Sequence, residues 1–208
     1  MNYVIGIDFD NTLVSYDTVF YDEALQRGFI CSDAGKGKKN IRDMIRRTPN
    51  GEIEWQKVQA AVYGPRMNEA KLIEGVKTFC ECCKVSKIRV CIISHKTEYA
   101  KMDNTRTNLR AASLSWMKGK GFFEPSRFGL SIGDVFFEST RYEKIERIKK
   151  ISCTHFIDDL EETFLEDTFP ADIEKILYMP QSRYSAIPKG KLAASWEEIG
   201  NYVFRSSI

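Results

Sequence analysis

Close to its first residue the chain reads Ile5-Gly6-Ile7-Asp8-Phe9-Asp10-Asn11-Thr12-Leu13-Val14. The apolar run predicts a buried strand, and it ends in two carboxylates two positions apart. Side chains at positions i and i+2 of a strand point to the same face of a sheet. If the strand stays regular through both acids, Asp8 and Asp10 share one site. A hydrophobic strand that ends in two acids indicates a charged functional site rather than a core.

The spacing of these two acids suits phosphoryl chemistry. One carboxylate can attack a phosphorus atom while the other carries the proton of the leaving oxygen. Two carboxylates this close repel each other unless a cation lies between them. A hard, oxygen-ligated ion such as Mg²⁺ is the natural counter-charge. We therefore expect Mg²⁺ as the cofactor at Asp8 and Asp10.

The pattern Asp8-x-Asp10-x-Thr12 behind an apolar strand resembles the first motif of the haloacid dehalogenase (HAD) superfamily. Most members of that superfamily are Mg²⁺-dependent phosphatases that act through an aspartyl-phosphate. The resemblance implies three further motifs, in order along the chain and at the ends of strands. An acid at the position of Asp10 separates the phosphatases of the superfamily from its dehalogenases.

Two later apolar runs end in residues that match further motifs of the superfamily. Residues 88–93 lead to Ser94, which matches the second motif, a Ser or Thr that hydrogen-bonds the phosphoryl group. Residues 154–157 lead to Asp158 and Asp159, which match the acidic fourth motif. In relatives with paired acids the second usually aligns with the metal ligand. We therefore expect Asp159 to bind the metal directly and Asp158 to support it.

A helical pattern between these motifs supplies the expected cation. It begins at Lys144 and carries apolar residues at 145, 148 and 151. Lys144 is our assignment for the third motif, which stabilises the nucleophile and the phosphoryl charge. Lys149 and Lys150 are alternatives, but they lie late on the helix and should be far from the strand ends.

The resemblance implies a two-step phosphoryl transfer with a role for each of these residues. Asp8 is the nucleophile, and Asp10 first protonates the leaving alkoxide and then activates the hydrolytic water. Ser94 and Lys144 hold phosphoryl oxygens. The expected metal ligands are Asp8, Asp10 through its backbone carbonyl, Asp159 and, in support, Asp158. The expected substrate contacts are Asn11, Thr12, Ser94, His95 and Lys96.

Strand and helix alternate along most of the chain, which predicts a parallel sheet covered on both faces. Together with the resemblance, this alternation predicts an α/β fold of the HAD-like Rossmannoid type. Such a fold has three layers and a central, mainly parallel sheet. Ligands of such sheets bind outside the carboxyl ends of the strands. Strands are predicted at 3–8, 88–93, 134–138, 154–158 and 175–179, and helices at 68–84, 105–120, 142–151, 161–167 and 195–204.

Residues 13–67 do not fit the alternation. They contain helical patches near 21–27, 39–47 and 53–63, separated by Gly, Pro and Asn. The resemblance implies a small helical cap inserted after the first strand, with residues 1–12 and 68–208 forming the core domain. A cap excludes water from the reaction centre and contributes substrate contacts.

The predicted cap carries a basic run at residues 35–47. Six cations against one acid give this run a local charge of +5. Two interpretations stay open: the run is a solvated helix face, or it attracts an anionic substrate electrostatically. The run is not a nucleotide P-loop, because the pattern G-x-x-x-x-G-K-[ST] is absent.

Composition and charge indicate what kind of protein this is. The chain has 208 residues, of which 43% are hydrophobic and 29% charged, as expected for a globular enzyme-sized domain. A net charge of +2 gives no electrostatic reason to expect nucleic-acid binding. No apolar run approaches the roughly 18 residues of a membrane span, and the first residues lack the basic region of a signal peptide. We expect a cytoplasmic protein, as a monomer or a dimer.

The six cysteines are candidates for a metal or redox site. Cys80, Cys82 and Cys83 cluster, but zinc would want paired C-x-x-C units or nearby histidines, and the chain has only two histidines. The C-x-x-C spacing of Cys80 and Cys83 falls inside a predicted helix, away from the helix start that stabilises a thiolate. We therefore expect reduced, structural thiols.

The function expected from the sequence is a Mg²⁺-dependent phosphatase that acts on a small phosphorylated metabolite. Three alternatives stay open: a phosphotransferase, a phosphatase for nucleic-acid ends, and a non-catalytic binding module on the same fold.

Overall fold

The computed structural model describes residues 3–180 and 190–205. The strands are β1 (Val4–Ile7), β2 (Val14–Ser15), β3 (Lys71–Leu72), β4 (Arg89–His95), β5 (Val135–Glu138), β6 (His155–Asp158), β7 (Glu174–Tyr178) and β8 (Lys191–Ala193). The α-helices are α1 (Asp17–Gln26), α2 (Lys38–Arg46), α3 (Gly51–Tyr63), α4 (Val76–Val85), α5 (Leu109–Gly119), α6 (Arg141–Ile151), α7 (Glu161–Leu165) and α8 (Trp196–Arg205). No helix in the described ranges has both the length and the apolar character needed to cross a bilayer.

Six strands form one sheet in the order β5-β4-β1-β6-β7-β8, and neighbouring strands run parallel. In the register, Ile7 of β1 lies opposite Ile92 on one side and Ile157 on the other. The chain builds the sheet outward from β1 in one direction and then in the other. This places the switch in strand order, where ligands of open α/β sheets bind, at the carboxyl ends of β1, β4 and β6. The predicted α/β class with a central parallel sheet is confirmed.

The core of this sheet is apolar on both faces of its central strands, as expected for strands buried between helices. Ile5 and Ile7 of β1 are fully buried, and Ile145 and Ile148 of α6 belong to the same buried region as Phe156 of β6. Among the described residues, the buried cluster that contains Phe156 comprises Cys91, Ile93, Ile145, Ile148, Cys153, Phe156, Phe164, Phe169, Ile173 and Leu177.

Gly6 lies in the middle of β1 because no larger side chain fits there. A Cβ atom at this position would lie 2.5 Å from Cδ2 of Phe156 and 2.9 Å from Sγ of Cys153. The aromatic ring of β6 thus packs directly on the backbone of β1. This close approach fixes the two strands whose ends carry the acids of the site.

The chain divides into two compact units. The first contains the six-stranded sheet and comprises Met1–Leu13, Leu72–Lys96 and Gly121–Ile208. The second comprises Val14–Lys71 and Thr97–Lys120, and its α-helices are α1, α2, α3 and α5. The predicted cap, residues 13–67, overlaps the second unit, which also takes in Thr97–Lys120. The predicted domain boundaries stay a prediction.

Aromatic packing and a few polar contacts hold the second unit together. Phe20 stacks on Trp55 with ring centroids 5.1 Å apart. The indole nitrogen of Trp116 donates a 2.9 Å hydrogen bond to the carbonyl of Ala70, so this buried polar group is satisfied. The basic run forms α2, in which Ile41 and Ile45 are buried while Lys39 and Arg46 are exposed.

The predicted helix at 68–84 is wrong over its first part. A 3-10 turn at Met67–Glu69 and the short strand β3 precede α4, which begins only at Val76. Gly75 has a φ of +85°, a left-handed conformation that interrupts a helix and that glycine adopts without strain. A Cβ there would also lie 2.7 Å from Cβ of Trp196. The predicted helix at 105–120 likewise begins later, because the Asn108 side chain caps α5 by accepting from the backbone of Ala111.

Candidate active site

The chain continues past β1 to a β-bridge at Asp10 and turns at residues 11–13. The strand ends at Ile7, and the backbone N–H of Asp8 donates a 2.8 Å hydrogen bond to the carbonyl of Ile157. Asn11 then has a φ of +58°, in the left-handed region that asparagine tolerates. The two acids thus lie between the end of β1 and this turn, and a common face for Asp8 and Asp10 stays a prediction. Asp8 is 4% exposed and lies at the carboxyl end of β1.

Three carboxylates converge at the ends of β1 and β6. Asp8, Asp158 and Asp159 each offer an oxygen within 4.8 Å of the others. They come together because β1 and β6 are parallel neighbours whose carboxyl ends lie at one edge of the sheet. Oxygen-only ligands at this spacing suit a hard divalent cation. Among the described residues, aspartates are the only members of this cluster.

Lys144 of α6 lies against this acidic cluster. Its ammonium nitrogen donates to Oδ1 of Asp8 at 2.6 Å and to Oδ2 of Asp158 at 2.7 Å, and the residue is only 2% exposed. Lys149, by contrast, pairs at the surface with Glu146 at 2.7 Å. Of the lysines considered for the third motif, the structure thus brings Lys144 to the acids.

Burial and charge set the protonation of this cluster. Burial raises the pKa of Asp8 to about 7, the Lys144 ammonium opposes this rise, and the carboxylates of Asp158 and Asp10 add to it. Burial alone would lower the pKa of Lys144, but the charges of Asp158 and Asp8 outweigh it and raise that pKa above its ordinary value. One ammonium offsets one of three carboxylate charges. When the acids are ionised, the remaining charge is that of a divalent anion, which a divalent cation matches.

The two acids of the fourth motif have different surroundings. Asp158 is fully buried, and a proton donor contacts each of its oxygens: the backbone of Leu160 at Oδ1, 3.0 Å away, and Lys144 at Oδ2. Asp159 is partly exposed, and Thr12 donates to its Oδ1 over 3.4 Å. The buried Thr12 also accepts, at its carbonyl, a 3.0 Å hydrogen bond from the indole of Trp196. Thr12 is thereby tied both to α8 and to the acid.

The side chain of Asp10 pairs with Lys96. The ammonium of Lys96 lies 2.8 Å from Oδ2 and 3.0 Å from Oδ1 of Asp10, and Lys96 is 4% exposed. Asp10 is not one of the three clustered carboxylates. The first-motif acids therefore have separate lysine partners, Lys144 for Asp8 and Lys96 for Asp10.

The other predicted contacts lie at the same edge of the sheet. Ser94 is in β4, one position before its end, is 1% exposed, and lies opposite Phe137 of β5. His95, the last residue of β4, is exposed, and Asn11 is partly exposed. β4 thus extends two residues beyond the predicted strand and includes Ser94. Contacts of these residues with a substrate stay a prediction.

All six cysteines are unpaired. Cys80 and Cys83 are buried in α4, and burial raises the pKa of Cys83 to about 12. Neither belongs to the metal-type cluster of the described residues.

Two features of the site are not among those predicted from the sequence. The first is the capping box of α6, in which Thr140 accepts from the backbone of Glu143 while Glu143 accepts from the backbone of Ser139 and Thr140. The signal was present as the pattern Thr-x-x-Glu directly before an apolar repeat. The second is the pairing of Lys96 with Asp10, for which a buried lysine after a strand gives no local signal.

The fold agrees with that of solved structures. No protein-family model and no curated protein sequence matches the chain. A HAD family hydrolase from Deinococcus radiodurans R1, solved with bound phosphate and sodium, superposes with a TM-score of 0.60 at 11% identity over 99% of this chain and 96% of its own. A haloacid dehalogenase-like hydrolase from Xanthomonas campestris gives 0.56 at 13% identity, over 98% and 95%. A predicted phosphoglycolate phosphatase from Haemophilus somnus gives 0.57 at 12% identity, over 97% and 98%.

The chain has the fold of the HAD hydrolases. The similarity covers nearly the whole length of this chain and of each solved structure, so it includes residues outside the sheet. The resemblance seen in the motifs is thus confirmed at the level of the HAD fold, which in this chain has its acids at the carboxyl ends of β1 and β6.

Proposed function

We propose that this protein is a HAD-type phosphatase that hydrolyses a small phosphomonoester through an aspartyl-phosphate. The observation that carries the proposal is the convergence of Asp8, Asp158 and Asp159 within 4.8 Å, with Lys144 bound to two of them. Nothing in the packing of a sheet requires three acids at its edge, since buried carboxylates cost free energy unless they are paired. A site for a cation and an anionic substrate accounts for them.

In this proposal Asp8 is the nucleophile. It is held at the end of β1 by the backbone hydrogen bond to Ile157, and Lys144 fixes one of its oxygens at 2.6 Å. Fixed geometry of this kind lowers the entropic cost of in-line attack. Lys144 and Ser94 hold the non-reacting phosphoryl oxygens, where fixed charge and hydrogen-bond donors stabilise the transition state.

The acidic cluster fits a divalent cation. Asp8, Asp159 and the backbone carbonyl of Asp10 would hold it, and Asp158, whose oxygens accept from Leu160 and Lys144, would support the site without binding directly. When bound, Mg²⁺ would neutralise charge on the phosphoryl oxygens. The partly exposed position of Asp159 supports its assignment as the direct ligand.

Asp10 carries the proton in both steps. It donates to the leaving oxygen and then takes a proton from the water that hydrolyses the aspartyl-phosphate. Its side chain is supported by Lys96 and lies outside the three-carboxylate cluster. A carboxylate in this place favours a phosphatase over a dehalogenase, because haloacid cleavage needs no proton on the leaving halide.

The substrate class and the compartment belong to the same proposal. One structure of the same fold contains bound phosphate, and another is described as a predicted phosphoglycolate phosphatase, which supports a phosphorylated substrate. A small phosphorylated metabolite is the substrate we propose here. Six unpaired cysteines support a reducing compartment such as the cytoplasm.

A phosphate-release assay tests the proposal. The wild-type protein with Mg²⁺ is offered a panel of phosphomonoesters, beside Asp8→Asn and, as matched control, Asp167→Asn, which changes an exposed acid of the same unit. We expect release by the wild type and by D167N, and no release by D8N, which lacks the nucleophile. Equal activity of D8N and the wild type would contradict the assignment of Asp8, and an inactive wild type would contradict the function.

A further inference from the structure

Lys96 is buried to an extent that lysines rarely reach without a partner. It is 4% exposed at the end of β4, and moving an ammonium group out of water is costly unless a counter-charge compensates for it. Its partner is Asp10, with the ammonium 2.8 Å and 3.0 Å from the two carboxylate oxygens. A lysine placed so that it contacts both oxygens of one carboxylate restricts the rotation of that side chain.

Lys96 is itself held at several points. Its backbone N–H donates a 2.8 Å hydrogen bond to the carbonyl of Glu138, the last residue of β5. Its ammonium lies 5.4 Å from the ring centre of Phe9, a favourable cation–π distance. The Phe9 ring in turn packs edge-to-face on Phe137, with centroids 5.8 Å apart. Lys96 and Phe9, the residue before Asp10, are thus both held against β5.

We propose that Lys96 is a positioning residue that holds the Asp10 carboxylate toward the leaving-group oxygen of the substrate. This inference rests on the proposed function, in which Asp10 transfers the proton. It assigns different tasks to the two buried lysines. Lys144 serves the nucleophile and the metal-type cluster, and Lys96 serves the acid–base group.

A direct substrate contact by Lys96 is the competing role, and the geometry speaks against it. To reach a substrate, the ammonium would have to leave both oxygens of Asp10 and move off the ring of Phe9. A lysine that binds substrate is expected to strengthen substrate binding and hence to affect KM. A lysine that acts through Asp10 affects the chemical step and hence kcat.

Acting through Asp10 has a second consequence. An alkyl phosphate has a poor leaving group that needs a proton as the bond breaks, whereas the p-nitrophenolate of an aryl phosphate leaves without one. Misplacing the general acid therefore slows alkyl phosphates more than p-nitrophenyl phosphate. A merely structural defect would slow both substrates by the same factor.

The experiment measures kcat and KM of Lys96→Met and Lys96→Arg on p-nitrophenyl phosphate and on the best alkyl phosphate of the wild type. Lys175→Met is the matched control, because Lys175 also lies over a phenylalanine ring, that of Phe169 at 5.1 Å, but its ammonium donates to the carbonyl of Phe164 and not to a carboxylate of the site. Circular dichroism establishes that each variant is folded. If K96M does not fold, Lys96→Gln gives the same comparison.

We expect K96M to lower kcat at least about tenfold more for the alkyl phosphate than for the aryl phosphate, with KM nearly unchanged. K96R should recover part of this loss, and K175M should behave as the wild type. Adding K96M to Asp10→Asn should not change the alkyl-to-aryl ratio further, since Asp10 is then no longer an acid.

Two results would overturn the inference while leaving the proposed function intact: an equal loss for both substrates, or a raised KM with unchanged kcat. An inactive wild-type protein on every phosphomonoester would overturn the inference and the proposed function together.

Discussion

Lys144 is the residue on which the charge balance of the acidic cluster depends. Two carboxylates, Asp8 and Asp158, accept hydrogen bonds from its ammonium in a buried site. Removing one partner of a buried ion pair leaves the remaining charges uncompensated, which typically costs roughly 3–5 kcal/mol of stability. The same ammonium is proposed to stabilise the phosphoryl charge in the transition state.

We therefore expect Lys144→Ala to lower kcat for an aryl phosphate by about 10²-fold or more and to lower the free energy of unfolding. Lys149→Ala is the matched control on the same helix, since Lys149 pairs with Glu146 at the surface. Its kcat should stay within about twofold of the wild type, because exposed ion pairs contribute little. Steady-state kinetics on the folded fraction of each variant provides the measurement, and a larger loss in K149A would move the cation role away from Lys144.

The residues of the cluster could be predicted from the sequence because each follows an apolar strand. Asp8, Asp158 and Asp159 are marked by the end of such a run, and parallel strands bring their ends to one edge. The partner of Asp10 could not be predicted in this way. Lys96 lies 86 positions further along the chain, and the local sequence around either residue does not indicate the pair.

Helix α6 links local sequence to the site, because it carries Lys144 one turn from its start. Its capping box satisfies backbone N–H groups that the helix leaves unpaired at its N-terminus. We expect Thr140→Ala to lower the free energy of unfolding by about 1 kcal/mol and to lower kcat through a less well ordered Lys144. Urea unfolding and steady-state kinetics measure the two effects. Thr140→Ser, which keeps the hydroxyl, is the control and should resemble the wild type; equal losses in T140S would show that the cap hydroxyl is not responsible.

Strand β1 depends on Gly6 for its contact with β6. Alanine at this position would place a methyl group 2.5 Å from the ring of Phe156, so the ring or the strand must move. We expect Gly6→Ala to destabilise the protein by about 1–3 kcal/mol, as overpacked cores do. Gly119→Ala is the control, since a Cβ at Gly119 meets nothing within 4 Å. Thermal unfolding of both variants tests this, and an unchanged G6A would mean that Phe156 can move aside without cost.

The long strands and helices could be predicted from periodicity, and the short elements could not. β2 and β3 have two residues each and β8 has three, which is too short for a pattern of alternation to be recognised. The helix predicted at 68–84 is too long at its start. Helix-forming residues lie on both sides of Gly75, so the sequence pattern does not show the left-handed backbone conformation of Gly75 that precedes α4. The residue packed closest to Gly75 is Trp196, about 120 residues further along the chain, so the local sequence does not reveal this contact.

At the scale of the whole molecule, the alternation of strands and helices predicts a parallel sheet but not the order of its strands. The order β5-β4-β1-β6-β7-β8 decides which acids meet, because it makes β1 and β6 neighbours. The strand order cannot be read from the alternation, but the four motifs resemble those of the HAD superfamily. This resemblance implies directly that the acids after β1 and β6 lie together. The extent of the second unit had no such motif, and the grouping of Thr97–Lys120 with it comes from tertiary contacts.

The acidic cluster also makes the stability of the whole molecule depend on a cation. Three carboxylates within 4.8 Å repel one another when ionised, and Lys144 offsets only one of these charges. A ligand that binds only the native state stabilises it by RT ln(1 + [L]/Kd), about 2.7 kcal/mol at 100 times Kd. For a chain of this size we therefore expect saturating Mg²⁺ to raise Tm by roughly 5–10 °C over the value in chelator.

Differential scanning fluorimetry measures this shift without any substrate, so the result is independent of activity. Asp159→Asn removes one proposed ligand and should abolish most of the shift. It should also raise Tm in chelator, because one source of repulsion is gone. Asp167→Asn, at an exposed position of the same unit, should keep the full shift. A wild-type Tm that does not respond to Mg²⁺, or a D159N variant that responds like the wild type, would contradict the metal site at Asp8 and Asp159.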